Sequence, residues 1–434
     1  MNYAIPKGVF DILPHENNPE NEWREIHRYE YLLQQLTELA KAYGFEEIAT
    51  PIFEKTELFS RSIGEGTDIV NKEMYTFDDK GGRSMTLRPE GTAAVMRSYI
   101  ENQMHQSSYC QKLFYKGPMF RYERQQAGRY RQFYQFGAEI VGLPSPQYDV
   151  EIIDFLHTLF QRLGIKDLTI HINSIGNKEC RASHKKDLVK FLMPHKTHLS
   201  DDSKQRLEKN PLRILDSKNA KDQEIVSNAP SILSHLEDSS REHFEEVQKW
   251  LKILKIPFTV NDRLVRGLDY YNRTVFEVVS GSLGAQNTIA AGGRYDYLLK
   301  DLKGPDLPAV GFAAGLERIL QTMCAQKCAF PNKPVPVLLL IPLGEPAYQI
   351  CFQLLKELRL HMIPAEMDYS GKKLKNVMKY AHKKEIPFVT VVGEEEIEKE
   401  TLNLKHMESG KDESVLLDQL ILTMKNKLHD VKLS

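Results

Sequence analysis

The sequence predicts an α+β domain built on an antiparallel sheet and interrupted by a helical insertion, followed by a smaller α/β domain. Three observations carry this expectation. Residues 74–141 alternate short β-like runs with turns. Residues 177–255 are rich in Lys, Glu and Ser, poor in glycine and helical in pattern, before β-like runs return through 264–294. Beyond the three prolines of AFPNKPVPV (329–337), strand and helix patterns alternate, as in a largely parallel sheet. The expected divisions are a domain over 1–328 with its insertion at about 177–255, a linker over 329–336 and a second domain over 337–434.

The elements follow in order. Trp23, Ile26, Tyr29, Leu33, Leu36, Ala40 and Tyr43 recur at steps of three and four, which predicts one amphipathic helix over 20–43, with Gly44 at its C-terminal end. FEEIATPIFE then reads as extended, and Pro51 suits an edge strand or a subunit boundary. Two β-like runs flank the basic stretch Arg124–Arg131, predicting an antiparallel pair with a long connection. A helix is expected over 149–163, with Asp149 as N-cap and Gly164 after its end. Leu168, Ile170 and Ile172 alternate as in a half-buried strand. GFAAGLERIL (311–320) begins extended and ends helical. Past residue 337 come a strand, a helix to about 360, a strand, a helix over 371–384 and a strand.

A chain of 434 residues exceeds one ordinary core, and 41% apolar with 27% charged residues is normal for a globular protein. No apolar run is long enough to span a membrane, and the N-terminus lacks the pattern of a secretory signal, so neither is expected. Five scattered cysteines without a C-x-x-C pair suggest reduced thiols and a cytoplasmic protein. No ligand set for a metal accompanies Cys324 and Cys328, so no dedicated protein metal site is expected. A net charge of −1 argues against indiscriminate nucleic-acid binding but not against a local basic patch.

LVRGLDYYNRTVFE (264–277) places arginines, an aspartate, an asparagine and paired tyrosines where its neighbours suggest burial. Arg88, Arg121, Arg266 and Arg318 share such surroundings. Buried cations need partners, so the four suggest either a shared phosphate or carboxylate ligand or structural ion pairs. Neither a G-x-x-x-x-G-K-[ST] loop nor a G-x-G-x-x-G turn between strand and helix is present, so a bound nucleotide would rest on side-chain cations. Glu90 and Glu139 either neutralise nearby arginines or join Gln135 and Tyr271 in a polar pocket for a zwitterion.

FEEIATPIFE resembles the dimer-interface motif of class II aminoacyl-tRNA synthetases, FRYERQQAGRYRQFYQF their second motif and GFAAGLERIL their third. RGLDYYNRTVFE and AGGRYD (291–296) are narrower and resemble the signature segments of histidyl-tRNA synthetases, as do TLRPEGTAAVMR and IPKGVFDILP. The resemblance spans essentially the whole chain. It implies the class II antiparallel sheet, a homodimer and a ligase activity: histidine and ATP give histidyl-adenylate and pyrophosphate, and histidine passes to the 3′ end of tRNA(His). It assigns catalytic roles to Arg121, Arg266 and Arg318. Arg121 would hold the α-phosphate and the attacking carboxylate, and Arg266 would reach the α-phosphate from the histidine side. Arg318 would grip the γ-phosphate and cover adenine, with Phe133 on the other face and Glu123 at the adenine edge. Histidine would be held by Glu90, Thr92 and Gln135 at its ammonium end and by Glu139 and Tyr271 at the imidazole, with Tyr270 beside them; Gly91, Arg121 and Arg266 would complete the histidine-binding set. Mg²⁺ would bridge the outer phosphates. Arg124, Gln126, Arg129 and Arg131 would meet the tRNA acceptor end. The second domain would bind the anticodon region, with Lys372, Lys375, Lys379 and Lys383 as a phosphate-facing stripe. Rival readings are a histidine-sensing regulatory paralogue, opposed by the second domain and the intact RGLDYYNRT segment; another class II synthetase, opposed by the two signature segments; and a nucleic-acid-binding module, which would not need Arg121, Arg266 and Arg318.

Overall fold

The structure, a computed structural model, describes residues 3–64, 67–123, 128–284 and 287–433. The chain separates into two compact units, residues 1–331 and 332–434. In the first unit the strands are β1 (Glu46–Glu47), β2 (Phe53–Lys55), β3 (Thr76–Asp78), β4 (Ser84–Leu87), β5 (Gln111–Phe120), β6 (Gln132–Val141), β7 (Leu168–Ser174), β8 (Thr259–Val260), β9 (Asn272–Ser280), β10 (Thr288–Arg294) and β11 (Ala309–Gly315). The main sheet runs β1-β5-β6-β11-β10-β9-β7-β8. Its inner pairs are antiparallel and the two edge pairs, β1 with β5 and β7 with β8, are parallel. A small antiparallel sheet, β2-β4-β3, lies apart from it.

The period of two in QFYQFGAEIV decides what β6 does. Phe136, Ala138 and Ile140 point into the main core, where helices Ile26–Ala42, Pro146–Arg162, Asp238–Ile253 and Leu316–Ala325 cover one face of the sheet. Phe136 stacks on Phe114 at 5.5 Å and on Phe155 at 6.0 Å. Each such buried ring contributes roughly 1.5–3 kcal/mol by leaving water. The alternate residues of β6 turn to the opposite face. There a second cluster, which includes Tyr115, Tyr271 and Tyr295, packs against helix Thr92–Glu101.

Two helix starts depart from the sequence expectation. The periodic stretch 20–43 is a 3₁₀ segment, Pro19–Arg24, and then a helix, Ile26–Ala42. The chain leaves helical geometry at Glu25 because Leu13 bonds across it: Leu13 N–H donates to Arg24 C=O and Ile26 N–H to Leu13 C=O, both at 2.9 Å. The helix expected from Asp149 begins instead at Pro146, after Ser145. Proline fits the first helical position because its missing N–H is not needed there. Asp149 is thereby a buried residue of the first turn rather than a cap.

Between β7 and β9 come helices Lys178–Leu192, Asp201–Lys209, Ala220–Val226 and Asp238–Ile253. The first three enclose a small core of their own around Leu188, Leu207, Ile214 and Val226. The last feeds Phe244, Val247 and Leu251 into the main core.

The second unit holds β12 (Leu338–Pro342), β13 (Ala365–Met367), β14 (Phe388–Val392), β15 (Thr401–His406) and β16 (Asp412–Leu416), in the order β13-β12-β14-β15-β16. The first three are parallel; β15 and β16 add an antiparallel hairpin absent from the sequence expectation. Its outer strand is mostly exposed, so its apolar alternation is weak. Helix Leu374–Lys383 buries Val377 and Ala381 and exposes Lys375, Lys379 and Lys383, while Lys372 precedes the helix and Leu374 is exposed.

Candidate active site

Strand β6 builds the floor of a recess on the sheet face away from the main core. Phe133 and Gln135 line it, and Glu139 follows on the same face, buried beyond the lining. Close packing under that floor depends on glycine. A Cβ on Gly91 or Gly137 would strike the Tyr115 ring, and one on Gly311 would strike the Glu139 carboxylate.

Helix Thr92–Glu101 begins at the recess. Glu90 accepts from Thr92 N–H at 2.7 Å and from Ala93 N–H at 2.9 Å. Its carboxylate therefore satisfies donors that a helix start leaves without partners. The Thr92 hydroxyl donates to Glu139 Oε1 at 2.7 Å, and the Tyr295 hydroxyl bonds to Glu139 Oε2. Burial pushes the Glu139 carboxyl up to about 8 and also raises Glu90. Burial likewise raises the phenols of Tyr270, Tyr271 and Tyr295, which stay neutral donors. Gln135 Oε1 is buried and meets no hydrogen-bond donor among the described residues.

The arginines come from separate elements. Arg121, just past β5, anchors its Nε–H on Pro89 C=O at 2.9 Å and lies over the Phe133 ring at 5.3 Å. Arg318, in the first turn after β11, donates to Gly128 C=O at 3.0 Å and Thr288 C=O at 2.7 Å. Arg266 stands 3.8 Å from Glu277 and 6.0 Å from the Tyr271 ring centre. Arg129 pairs with Glu123 at 3.1 Å. Burial, and then the charges of Arg129 and Arg121, hold the Arg318 guanidinium below its usual range. Cations crowded this way repel one another, and an anion among them would relieve that repulsion.

Glu90, Thr92, Arg121, Glu123, Arg129, Phe133, Gln135, Arg266, Tyr270, Tyr271 and Arg318 thus line one recess. Gly91 and Glu139 do not: Gly91 backs onto Tyr115 and Glu139 lies buried behind Thr92. Arg131 is also elsewhere. Its N–H donates to Gly8 C=O at 2.7 Å and its guanidinium covers the Tyr122 ring at 4.0 Å. Arg124 and Gln126 lie outside the described residues. Arg88 leaves the anion cluster altogether, because it donates to the carbonyls of Pro118 at 2.9 Å and Thr50 at 3.1 Å.

Sequence reasoning missed Tyr295, Glu317 and Thr288. Tyr295 was visible inside AGGRYD, yet its meeting with Glu139 joins residues far apart in the chain. Glu317 lines the recess and accepts Tyr134 N–H at 2.8 Å; burial pushes it up to about 7. The polar stretch 264–277 is explained by this geometry: Arg266, Leu268, Tyr270 and Tyr271 form one wall of the recess, and Asn272 bonds to Asp296.

Comparison with known proteins places the chain among relatives along nearly its whole length. The family model described as histidyl-tRNA synthetase matches residues 19–319, and one for an anticodon binding domain matches 338–427. The histidine--tRNA ligase of Protochlamydia amoebophila is 55% identical over 426 residues, 98% of this chain and 100% of that protein. That of Desulforamulus reducens is 44% identical over 420 residues, 97% of this chain and 98% of its own. The crystal structure of the apo S. aureus histidyl-tRNA synthetase superposes with a TM-score of 0.80 at 37% identity, covering 98% of this chain and 100% of that one.

Proposed function

The chain belongs to the histidyl-tRNA synthetase family, and from that premise we propose how its recess divides the work. The protein is a histidine–tRNA ligase: it activates histidine with ATP and transfers it to tRNA(His). One observation carries the residue assignment. Arg121, Arg266 and Arg318, from three elements, converge on a recess that also holds the Glu90 carboxylate and the unpaired Gln135 acceptor.

In the first step the histidine carboxylate attacks the α-phosphorus of ATP and the bond to the leaving pyrophosphate breaks. Positioning and neutralisation of charge dominate such transfers. Arg121 is assigned to the α-phosphate and the attacking carboxylate; its anchor on Pro89 C=O orients the fork. Arg266 is assigned to the α-phosphate from the histidine side. Arg318 takes the outer phosphates by exchanging carbonyl partners for phosphate oxygens, with Phe133 and Glu123 framing adenine. Mg²⁺ is assigned to the phosphates of the nucleotide.

Glu90, Thr92 and Gln135 are assigned to the histidine ammonium and Tyr270 and Tyr271 to its ring, with Glu139 acting from behind through the Thr92 and Tyr295 hydroxyls. A neutral imidazole has one donor and one acceptor nitrogen. A pocket that pairs both rejects an apolar amino acid by roughly 10⁴-fold, because its own polar groups would be left unpaired. Arg129 extends the recess toward the tRNA end. Its ion pair with Glu123 ties it to the residue assigned to the adenine edge.

The second unit is assigned to the anticodon arm, with the lysines of helix Leu374–Lys383 meeting phosphate. We further infer a homodimer joined near Pro51, where Ile52, Phe53 and Phe77 stand exposed on and beside the small sheet. A cytoplasmic setting fits five cysteines that carry no disulfide, and no helix among the described residues is long and apolar enough to cross a membrane. Histidine-dependent exchange of pyrophosphate into ATP, measured beside charging of tRNA(His), tests the division. Charging without exchange, or exchange that ignores histidine, would overturn it.

A further inference from the structure

A buried charge cluster lies behind the recess. Asp149 and Arg294 are both fully buried. Arg294 Nε donates to Asp149 at 3.2 and 3.1 Å, and its Nη2 also bonds to Asp149. The rest of the guanidinium is used as well: Nη1 donates to Asp296 at 3.2 Å and Nη2 to Ser145 C=O at 2.9 Å. His243, from the last helix of the insertion, meets Asp149 at 3.3 Å. Asp296 then exchanges two bonds with Asn272. Asn272 Nδ2 donates to its carboxylate at 2.9 Å, and Asp296 N–H donates to Asn272 Oδ1 at 2.7 Å.

The cluster therefore ends on both segments that carry tyrosines of the histidine side. Tyr271 immediately precedes Asn272, and Tyr295 lies between Arg294 and Asp296. The Tyr295 ring stands 5.5 Å from that of Tyr270 and 6.3 Å from that of Tyr271. Gly293 packs on the same wall, since a Cβ there would meet Tyr271 at 3.0 Å. The nucleotide side is tied elsewhere: Arg318 bonds to Gly128 and Thr288, and Glu123 to Arg129. A buried ion pair is a poor source of stability, because desolvation offsets its attraction, but it fixes geometry where apolar packing would slide.

We propose that Asp149 is a positioning residue for histidine recognition: through Arg294, Asp296 and Asn272 it sets the spacing of Tyr271 and Tyr295 around the imidazole. The inference rests on the assignment of the recess to histidine. Asp149 does not line the recess and lies on a helix that the motif residues do not include.

The test uses the full-length protein and histidine-dependent pyrophosphate exchange. Asp149→Asn keeps the shape and removes the charge. It should raise the histidine KM by about 10- to 100-fold, the scale of a small misplacement, with ATP KM and kcat unchanged. Asn272→Ala cuts the tie between the two tyrosine segments without touching the ion pair, and should move histidine KM in the same direction. Asp222→Asn is the control. Asp222 is a buried carboxylate of the insertion held by Ser200, Ser203 and Ser217, and its loss should lower Tm and leave histidine KM alone. An unchanged histidine KM in folded Asp149→Asn, or a rise equalled by Asp222→Asn, overturns the proposal. If Asp149→Asn does not fold, Asn272→Ala decides: an unchanged histidine KM overturns the proposal and a raised one supports it. Wild-type protein lacking histidine-dependent exchange would instead overturn the assignment of the recess.

Discussion

Thr92 and Glu139 join the start of a helix to the middle of a strand: the Thr92 hydroxyl, on the wall of the recess, donates to Glu139 Oε1 at 2.7 Å. Tyr295 holds the other carboxylate oxygen. Glu139 thus sits one side chain behind the ligand space and sets the orientation of two hydroxyls.

The first prediction follows from its charge. Burial raises the folded-state carboxyl from 4.5 to about 8, so it is neutral below that range and ionised above it. The ionised form accepts more strongly from the Thr92 and Tyr295 hydroxyls and so fixes the wall that faces the ligand. The kcat/KM for histidine should therefore rise with pH to a plateau above about 8, and Glu139→Gln should abolish that rise. Stability has the opposite sign. The folded state binds this proton more tightly than the unfolded state, so Glu139 favours folding at low pH and loses that contribution between 4.5 and about 8. Replacing it by Gln should flatten the fall of Tm across that window. A histidine pH profile identical in wild type and Glu139→Gln would refute the assignment.

Arg266 separates chemistry from binding. If its guanidinium meets charge that builds on the α-phosphate, Arg266→Ala should lower kcat for pyrophosphate exchange by about 10²–10³ with a smaller change in histidine KM. Lysine should rescue in part, as a point charge without the fork. Tyr271→Phe should raise histidine KM and spare ATP KM. An Arg266→Ala variant with normal kcat would mark the arginine as a carboxylate ligand only.

Residues 332–434 form a compact unit with its own core. Their removal should spare pyrophosphate exchange more than charging of tRNA(His). Equal loss of both activities, in a truncated protein with an unaltered first-unit circular-dichroism melt, would contradict the division of roles.

Phe53 and Phe77 are each about half exposed, 50% and 45%, and their rings lie 6.2 Å apart on the small sheet. If the proposed dimer joins there, Glu at both positions should yield a monomer by light scattering under conditions in which the unsubstituted protein scatters as a dimer. A double variant that stays dimeric would move the interface elsewhere.

Arg88 gives a stability prediction. Removing its side chain leaves the Pro118 and Thr50 carbonyls without that donor. Arg88→Met should lower unfolding free energy by about 1–3 kcal/mol in urea titrations, with kcat less affected than for Arg266→Ala. The reverse ranking would return Arg88 to the anion cluster.

The sequence by itself determined the local order of this protein. Period-two alternation announced β7, glycine ended the helices at Tyr43 and Leu163, and short motifs announced the residues of the recess. These signals act within a few residues, where side-chain period and backbone sterics decide the outcome. Tertiary structure alone decided which polar groups would find each other. Arg88 and Arg266 look alike in sequence, yet one is spent on backbone carbonyls and the other faces the recess. Asp149 reads as a cap and becomes the buried partner of Arg294, 145 residues away. Glu139 reads as a ligand and lies one layer behind Thr92. A buried charge takes whatever partner the packed elements bring within reach, and only the register of β6, β10 and β11 specifies that partner.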